Sequence, residues 1–74
     1  MNREDKLKLL EETLDVEAGT LTEDTVLKEL ENYDSIGVLG IIIMFEDEFG
    51  IKLERADFNT FVTVKDIIDR MQEN

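Results

Sequence analysis

Asp34-Ser35-Ile36-Gly37-Val38-Leu39-Gly40-Ile41-Ile42-Ile43-Met44-Phe45-Glu46-Asp47-Glu48-Phe49-Gly50 is the stretch whose reading decides the fold. It opens on a carboxylate and a hydroxyl, runs apolar for longer than an ordinary strand, and closes on glycine. The spacing predicts a helix over 35–49. Asp34 caps its start, and Gly50 supplies the left-handed residue that ends it. Ile41-Ile42-Ile43 is β-branched but lies inside this helix-length pattern. At about 100° per residue, Val38, Ile41, Ile42, Phe45 and Phe49 share one face, which is the expected core face. Ile36, Leu39 and Ile43 fall on another face, near Asp47 and the two glycines, Gly37 and Gly40. A helix on the outside of a small bundle needs one buried stripe, so this second stripe reads as a docking surface. Cover by the long loop or by a second copy of the chain is the alternative. Gly37 and Gly40 each cost about 1 kcal/mol relative to alanine inside a helix. They mark either close approach of another backbone or mere drift, and the residues leave both open. Glu46, Asp47 and Glu48 crowd the end of the helix whose dipole prefers cations, which reads as recognition by basic partners or as a solvated acidic face. The run lacks the alternating oxygen ligands and fixed glycine of a calcium loop, so no metal site is assigned.

Upstream, Leu7, Leu10 and Leu14 recur at three- and four-residue spacing and predict a helix over 3–14. The connection 15–34 is long, but Val16, Leu21, Val26, Leu27 and Leu30 should pin it to the core. Thr22-Glu23-Asp24-Thr25 is placed to cap a short turn ahead of 26–30. Downstream, 51–54 reads as extended or irregular and 55–60 as one short helical turn around Phe58. A last helix over 63–72 has Thr63 as N-cap and Asp66 at the capping-box position, with Val64, Ile67, Ile68 and Met71 as its buried stripe. The expected architecture is all-α: a small, mostly antiparallel bundle with a long first loop.

At 74 residues, 42% of them apolar, the chain is expected to form one domain over 1–74 with a modest margin of stability. No cysteine is present, which excludes disulfides and thiolate metal sites and fits a reducing cytoplasm. No apolar segment is long enough to span a bilayer, and the N-terminus does not read as a signal peptide, so the expected location is cytoplasmic. Nineteen acidic residues against eight basic ones give a formal net charge of −11. That charge repels nucleic acid and anionic membranes, favours basic patches on other proteins, and destabilises the fold by self-repulsion that salt screens.

Ser35 stands at a helix start, beside a carboxylate, in a chain without histidine or cysteine. With no imidazole to take its proton it is not a conventional activated nucleophile, and no catalytic residue is assigned. It is well placed to be modified by another protein. A phosphate ester there would meet free N–H groups and the positive end of the helix dipole.

These residues resemble the acyl carrier proteins and related thiolation domains, over essentially the whole chain. The resemblance centres on Asp34-Ser35-Ile36, where the family usually has Asp-Ser-Leu. It continues through Phe45-Glu46-Asp47-Glu48-Phe49-Gly50-Ile51 and closes at Val62-Thr63-Val64. It implies a four-helix bundle with a short third helix, and no enzyme activity. It implies that Ser35 carries 4′-phosphopantetheine, added from coenzyme A by a magnesium-dependent phosphopantetheinyl transferase that Asp34 helps to recognise. The thiol of that arm holds acyl groups as thioesters, in fatty-acid biosynthesis or a dedicated acyl pathway. Ile36, Leu39 and Ile43 fall where the family docks acyl-transferring, synthesising or ligase enzymes, with Glu46 and Asp47 meeting their basic patches. The chain is expected to be a monomer. Alternatives are a carrier of an aminoacyl or polyketide-type unit, or an unmodified acidic adaptor binding through the Ile36/Leu39/Ile43 face. The chain departs from the family at Ile36, at Asn32, which stands where glycine is common and is expected to keep the left-handed turn, at the bulky Tyr33, and at Gly37 and Gly40. Because many members carry polar or acidic residues at the two glycine positions, the expected set of partners is restricted.

Overall fold

The computed structural model describes residues 2–71. Helix α1 spans Arg3–Thr13, α2 spans Ser35–Phe49 and α3 spans Val64–Arg70. The short third helix of the bundle, Arg55–Thr60, lies between α2 and α3 and is wound as a 3₁₀ helix. A further single 3₁₀ turn, Leu27–Glu29, interrupts the long first loop. Among the described residues no strand forms, and Val26 and Thr63 make an isolated antiparallel bridge. The fold is therefore the all-α four-helix bundle that the sequence predicts.

Helix ends follow local chemistry. Asn2 caps α1 by accepting the N–H of Asp5 at 2.8 Å. The helix stops at Thr13, one residue short of the expected end, with Leu14 as its C-cap. Asp15 then turns left-handed at φ 57° while Asp15 N–H donates to the Glu12 carbonyl and Val16 N–H to the Glu11 carbonyl. This is a Schellman closure built on an aspartate where glycine is usual. Gly50 ends α2 at φ 65°, as its position predicts. At α3 the Asp66 carboxylate accepts the N–H groups of Val62 and Thr63 at 2.8 and 3.1 Å, and these bonds hold it below the usual carboxylate pKa range. The last helix is shorter than expected: it ends at Arg70, Met71 is its cap, and Gln72 lies outside the described residues.

Leu10, Leu14, Ile41, Phe45, Phe49, Val64, Ile67, Ile68 and Met71 form the core, with Leu21 and Leu27 inserted from the long loop. Leu7, Val16, Leu30, Val38 and Ile42 are only partly buried. Met44, absent from the expected stripe, is buried. The core face of α2 is thus rotated by roughly 40° from the one its apolar pattern predicts, at about 100° per residue. The rotation is toward α1, which packs on α2 where Gly37 and Gly40 leave room for Leu14 and Thr13.

The long loop is held by more than its aliphatics. Glu11, a buried carboxylate on α1, accepts the N–H groups of Gly19 and Leu21 at 2.8 and 3.0 Å. The loop also satisfies the start of α3: Thr25 and Glu23 carbonyls accept the N–H groups of Val64 and Lys65, both at 3.0 Å. Thr22 and Thr25 close their own turn, Thr22 N–H donating to Thr25 Oγ1 at 2.9 Å. That turn does not cap the following 3₁₀ segment, whose N-cap is Val26. Arg3 joins α1 to the loop and to α3 by ion pairs with Glu23 and Asp69.

Candidate functional site

Ser35 is the first residue of α2 and is exposed to solvent. Its position is set by Asp34, an extended N-cap residue whose Oδ1 accepts the N–H groups of Ile36 at 3.0 Å and Gly37 at 2.9 Å. Two of the N–H groups expected to be free for a phosphate are thus already occupied by Asp34. An ester on Ser35 would still meet the positive end of the helix dipole.

Upstream of Asp34, the strap 32–34 lies hard against the first turn of α2. A Cβ on Gly37 would stand 1.9 Å from the Asn32 carbonyl oxygen. Close backbone approach is therefore the reason for this glycine, and a methyl group would displace the strap. Gly40 differs, since a Cβ there would meet Thr13 at 3.7 Å, an ordinary contact. Both glycines are turned toward the C-terminal end of α1 rather than toward a partner. The restricted partner range expected from them loses that support.

Asn32 also departs from its expected conformation. Among the described residues, positive φ occurs at Asp15, Gly19 and Gly50, so Asn32 makes no left-handed turn. Instead its side-chain amide donates to the Leu14 carbonyl at 2.7 Å, tying the strap to the end of α1. Between strap, helix end and first turn of α2 lies an open groove of about 250 Å³, lined by Thr13, Leu14, Asp15, Asn32, Asp34, Ile36 and Gly37. Ser35 is not among the lining residues, although its chain neighbours Asp34 and Ile36 are.

Tyr33 points elsewhere. Its ring lies 6.4 Å from that of Phe58 in the short third helix, and Phe58 in turn meets Phe61 edge-on at 5.2 Å. The Tyr33 hydroxyl is shielded from solvent and has no hydrogen-bond partner among the described residues. Burial pushes its pKa up.

Along α2, Ile36, Leu39 and Ile43 are 81%, 48% and 52% exposed. At helical spacing they form one ridge, continued by Glu46 and Asp47, both exposed. Among the described residues, no group of acidic side chains is arranged to hold a metal ion. No helix there is long and apolar enough to cross a membrane.

The site is thus an exposed hydroxyl at a capped helix start. Residues 7–71 match the family model described as a phosphopantetheine attachment site. The chain belongs to the acyl carrier protein family, whose attachment domain carries 4′-phosphopantetheine covalently. It is 31% identical over 65 residues to an acyl carrier protein of Thermotoga maritima, covering 88% of this chain and 80% of that relative. It is 35% identical over 71 residues to an acyl carrier protein of Onion yellows phytoplasma, covering 95% and 93% of the two chains. No solved structure gives a significant match.

Proposed function

We propose that Ser35 is the attachment residue and that the chain is a carrier, not a catalyst. The observation that carries this reading is the exposed Ser35 hydroxyl at the first position of α2, inside the segment that matches the attachment-site family. A transferase joins the serine oxygen to phosphorus of coenzyme A, the nucleotide portion departs, and the hydroxyl proton passes to the transferase. When bound, the group supplies a thiol that holds an acyl unit as a thioester. The protein's own residues present the anchor. Asp34 fixes the first turn, Gly37 lets the strap pack beneath it, and α2 holds Ser35 at a defined place on the surface.

Partner enzymes meet the ridge beside the anchor. Ile36, Leu39 and Ile43 offer an apolar contact, and Glu46 and Asp47 attract basic side chains. The transferase and acyl-transferring, synthesising or ligase enzymes with basic patches are the proposed partners of a monomeric, cytoplasmic chain forming one domain over 1–74. Its work lies in fatty-acid biosynthesis or in a dedicated acyl pathway. The apolar stripe, more than the two glycines, is what would restrict its partners.

The test is incubation with coenzyme A and a transferase of broad specificity, followed by intact-mass measurement. One phosphopantetheine is expected on the wild type and none on Ser35→Ala. A folded wild-type chain that stays unmodified refutes the assignment and leaves an acidic adaptor acting through the α2 ridge.

A further inference from the structure

We propose that the Tyr33 hydroxyl is a hydrogen-bond donor for a carbonyl or hydroxyl oxygen of the group tethered at Ser35. The inference rests on the carrier reading above and deepens it, by naming a residue that bonds to the tethered group.

Three observations support it. The phenol oxygen is shielded from water yet has no partner among the described residues. A buried hydroxyl in that state is destabilising, and an acceptor brought to it recovers the missing bond. Tyr33 is also two residues from the anchor, across an extended Asp34, so the two Cα atoms are about 7 Å apart. A flexible arm fixed at Ser35 is long enough to cover that distance, and its oxygen must displace the packing that encloses the hydroxyl. Finally, Tyr33 packs toward Phe58 and away from the open groove, since it is not among the groove's lining residues. Its ring thus lies toward the short third helix, among apolar neighbours. There the competition from water that weakens hydrogen bonds at the surface is reduced.

The acceptor has two chemical sources: an amide carbonyl of the arm itself, or an oxygen on the acyl group. Tyr33 is the single tyrosine of a chain without tryptophan, so near-ultraviolet absorbance reports on this residue with little interference. The experiment compares four forms of the whole chain, each verified by intact mass. They are the unmodified protein, the arm-bearing protein, and the arm bearing a saturated or a 3-oxo acyl group of equal length. Each is measured as wild type and as Tyr33→Phe, which keeps the ring and its contact with Phe58.

A tyrosine red-shift on adding the arm alone assigns the acceptor to the arm. A shift that appears only with the 3-oxo group assigns it to the cargo. In either case the form that shifts should melt roughly 4 °C or more above the same form of Tyr33→Phe, the scale set by one hydrogen bond in a domain of this size. The unmodified Tyr33→Phe chain should be at least as stable as wild type. If the chain loads fully and no form shows a Tyr33-dependent shift, this inference fails while the carrier reading stands. If the chain accepts no arm, both fail.

Discussion

Alanine at Gly37 and alanine at Gly40 should change stability in opposite directions, although the two glycines sit one turn apart in the same helix. Taken alone, each substitution removes a poor helix former and favours folding by about 1 kcal/mol. At Gly40 nothing opposes that gain, because the new Cβ meets Thr13 Cγ2 and the Thr13 carbonyl oxygen at 3.7 Å. The expected change is a stabilisation of about 0.5–1 kcal/mol. At Gly37 the Cβ would stand 1.9 Å from the Asn32 carbonyl oxygen and 3.2 Å from Leu14 Cδ2. The first contact is impossible, and its neighbour is backbone, which cannot rotate away. Asn32 must move by more than an ångström, and the 2.7 Å bond from its amide to the Leu14 carbonyl is strained or lost. Overpacking of this kind costs about 1–3 kcal/mol and a lost hydrogen bond about 1 kcal/mol more. Against the helix gain, the net expectation is a loss of about 1–3 kcal/mol. Urea unfolding followed by helical circular dichroism, at one fixed salt concentration, measures both. In thermal melts each kcal/mol corresponds to a midpoint shift of about 4–8 °C for a domain of this size. A Gly37→Ala protein as stable as wild type would refute the close-approach argument. The displaced strap also carries Asp34, so Gly37→Ala should slow modification of Ser35 while Gly40→Ala leaves its rate unchanged.

Glu11→Ala strands two loop N–H groups, one of them buried, and should cost about 2–4 kcal/mol in urea unfolding, with Glu11→Gln recovering a good part of it through its remaining carbonyl oxygen. An alanine variant of wild-type stability would show that the loop is not held by this carboxylate. Asp15→Gly relieves a left-handed residue at φ 57° and should raise the melting midpoint, since a non-glycine residue there costs about 1 kcal/mol. On the acid side, Asp66 is held low by the N–H groups of Val62 and Thr63, and Glu23 and Asp69 by hydrogen bonds from Arg3. A carboxylate with a lowered folded-state pKa contributes fully above its unfolded value and loses that contribution as pH falls through the folded value. The melting midpoint should therefore fall below about pH 4, after any gain from relieved self-repulsion at milder acidity. Asp66→Asn should flatten this acid limb relative to wild type, and an unchanged limb would remove Asp66 from the account.

Most of the helical frame was legible in the sequence because its signals are local. The 15-residue α2 begins at Ser35 and ends at Phe49, as an acidic cap, an apolar run and a terminal glycine predict. The stripe Val64, Ile67, Ile68 and Met71 is buried as its spacing requires. Errors arose where a residue answers to a neighbour distant in sequence. The helix pattern of α2 permits a core face centred nearer Ile42 or nearer Met44. α1 chooses between them by packing where the glycines allow it. Glu11 reads as one more surface acid among nineteen, and only the returning loop gives it the N–H partners that bury it. Asn32 reads as a turn residue, yet its amide is taken by a carbonyl 18 residues away.

Sequence by itself determined the helices, the caps of α2 and α3, the acidic surface and the serine at the head of α2, because backbone propensity, capping and charge depend on near neighbours. Tertiary structure alone decided which face of α2 is buried, why Gly37 must be glycine, and that the Tyr33 hydroxyl is enclosed without a partner among the described residues. Those outcomes depend on where residues far apart in the chain come to rest, and a linear pattern does not specify the contact between two surfaces.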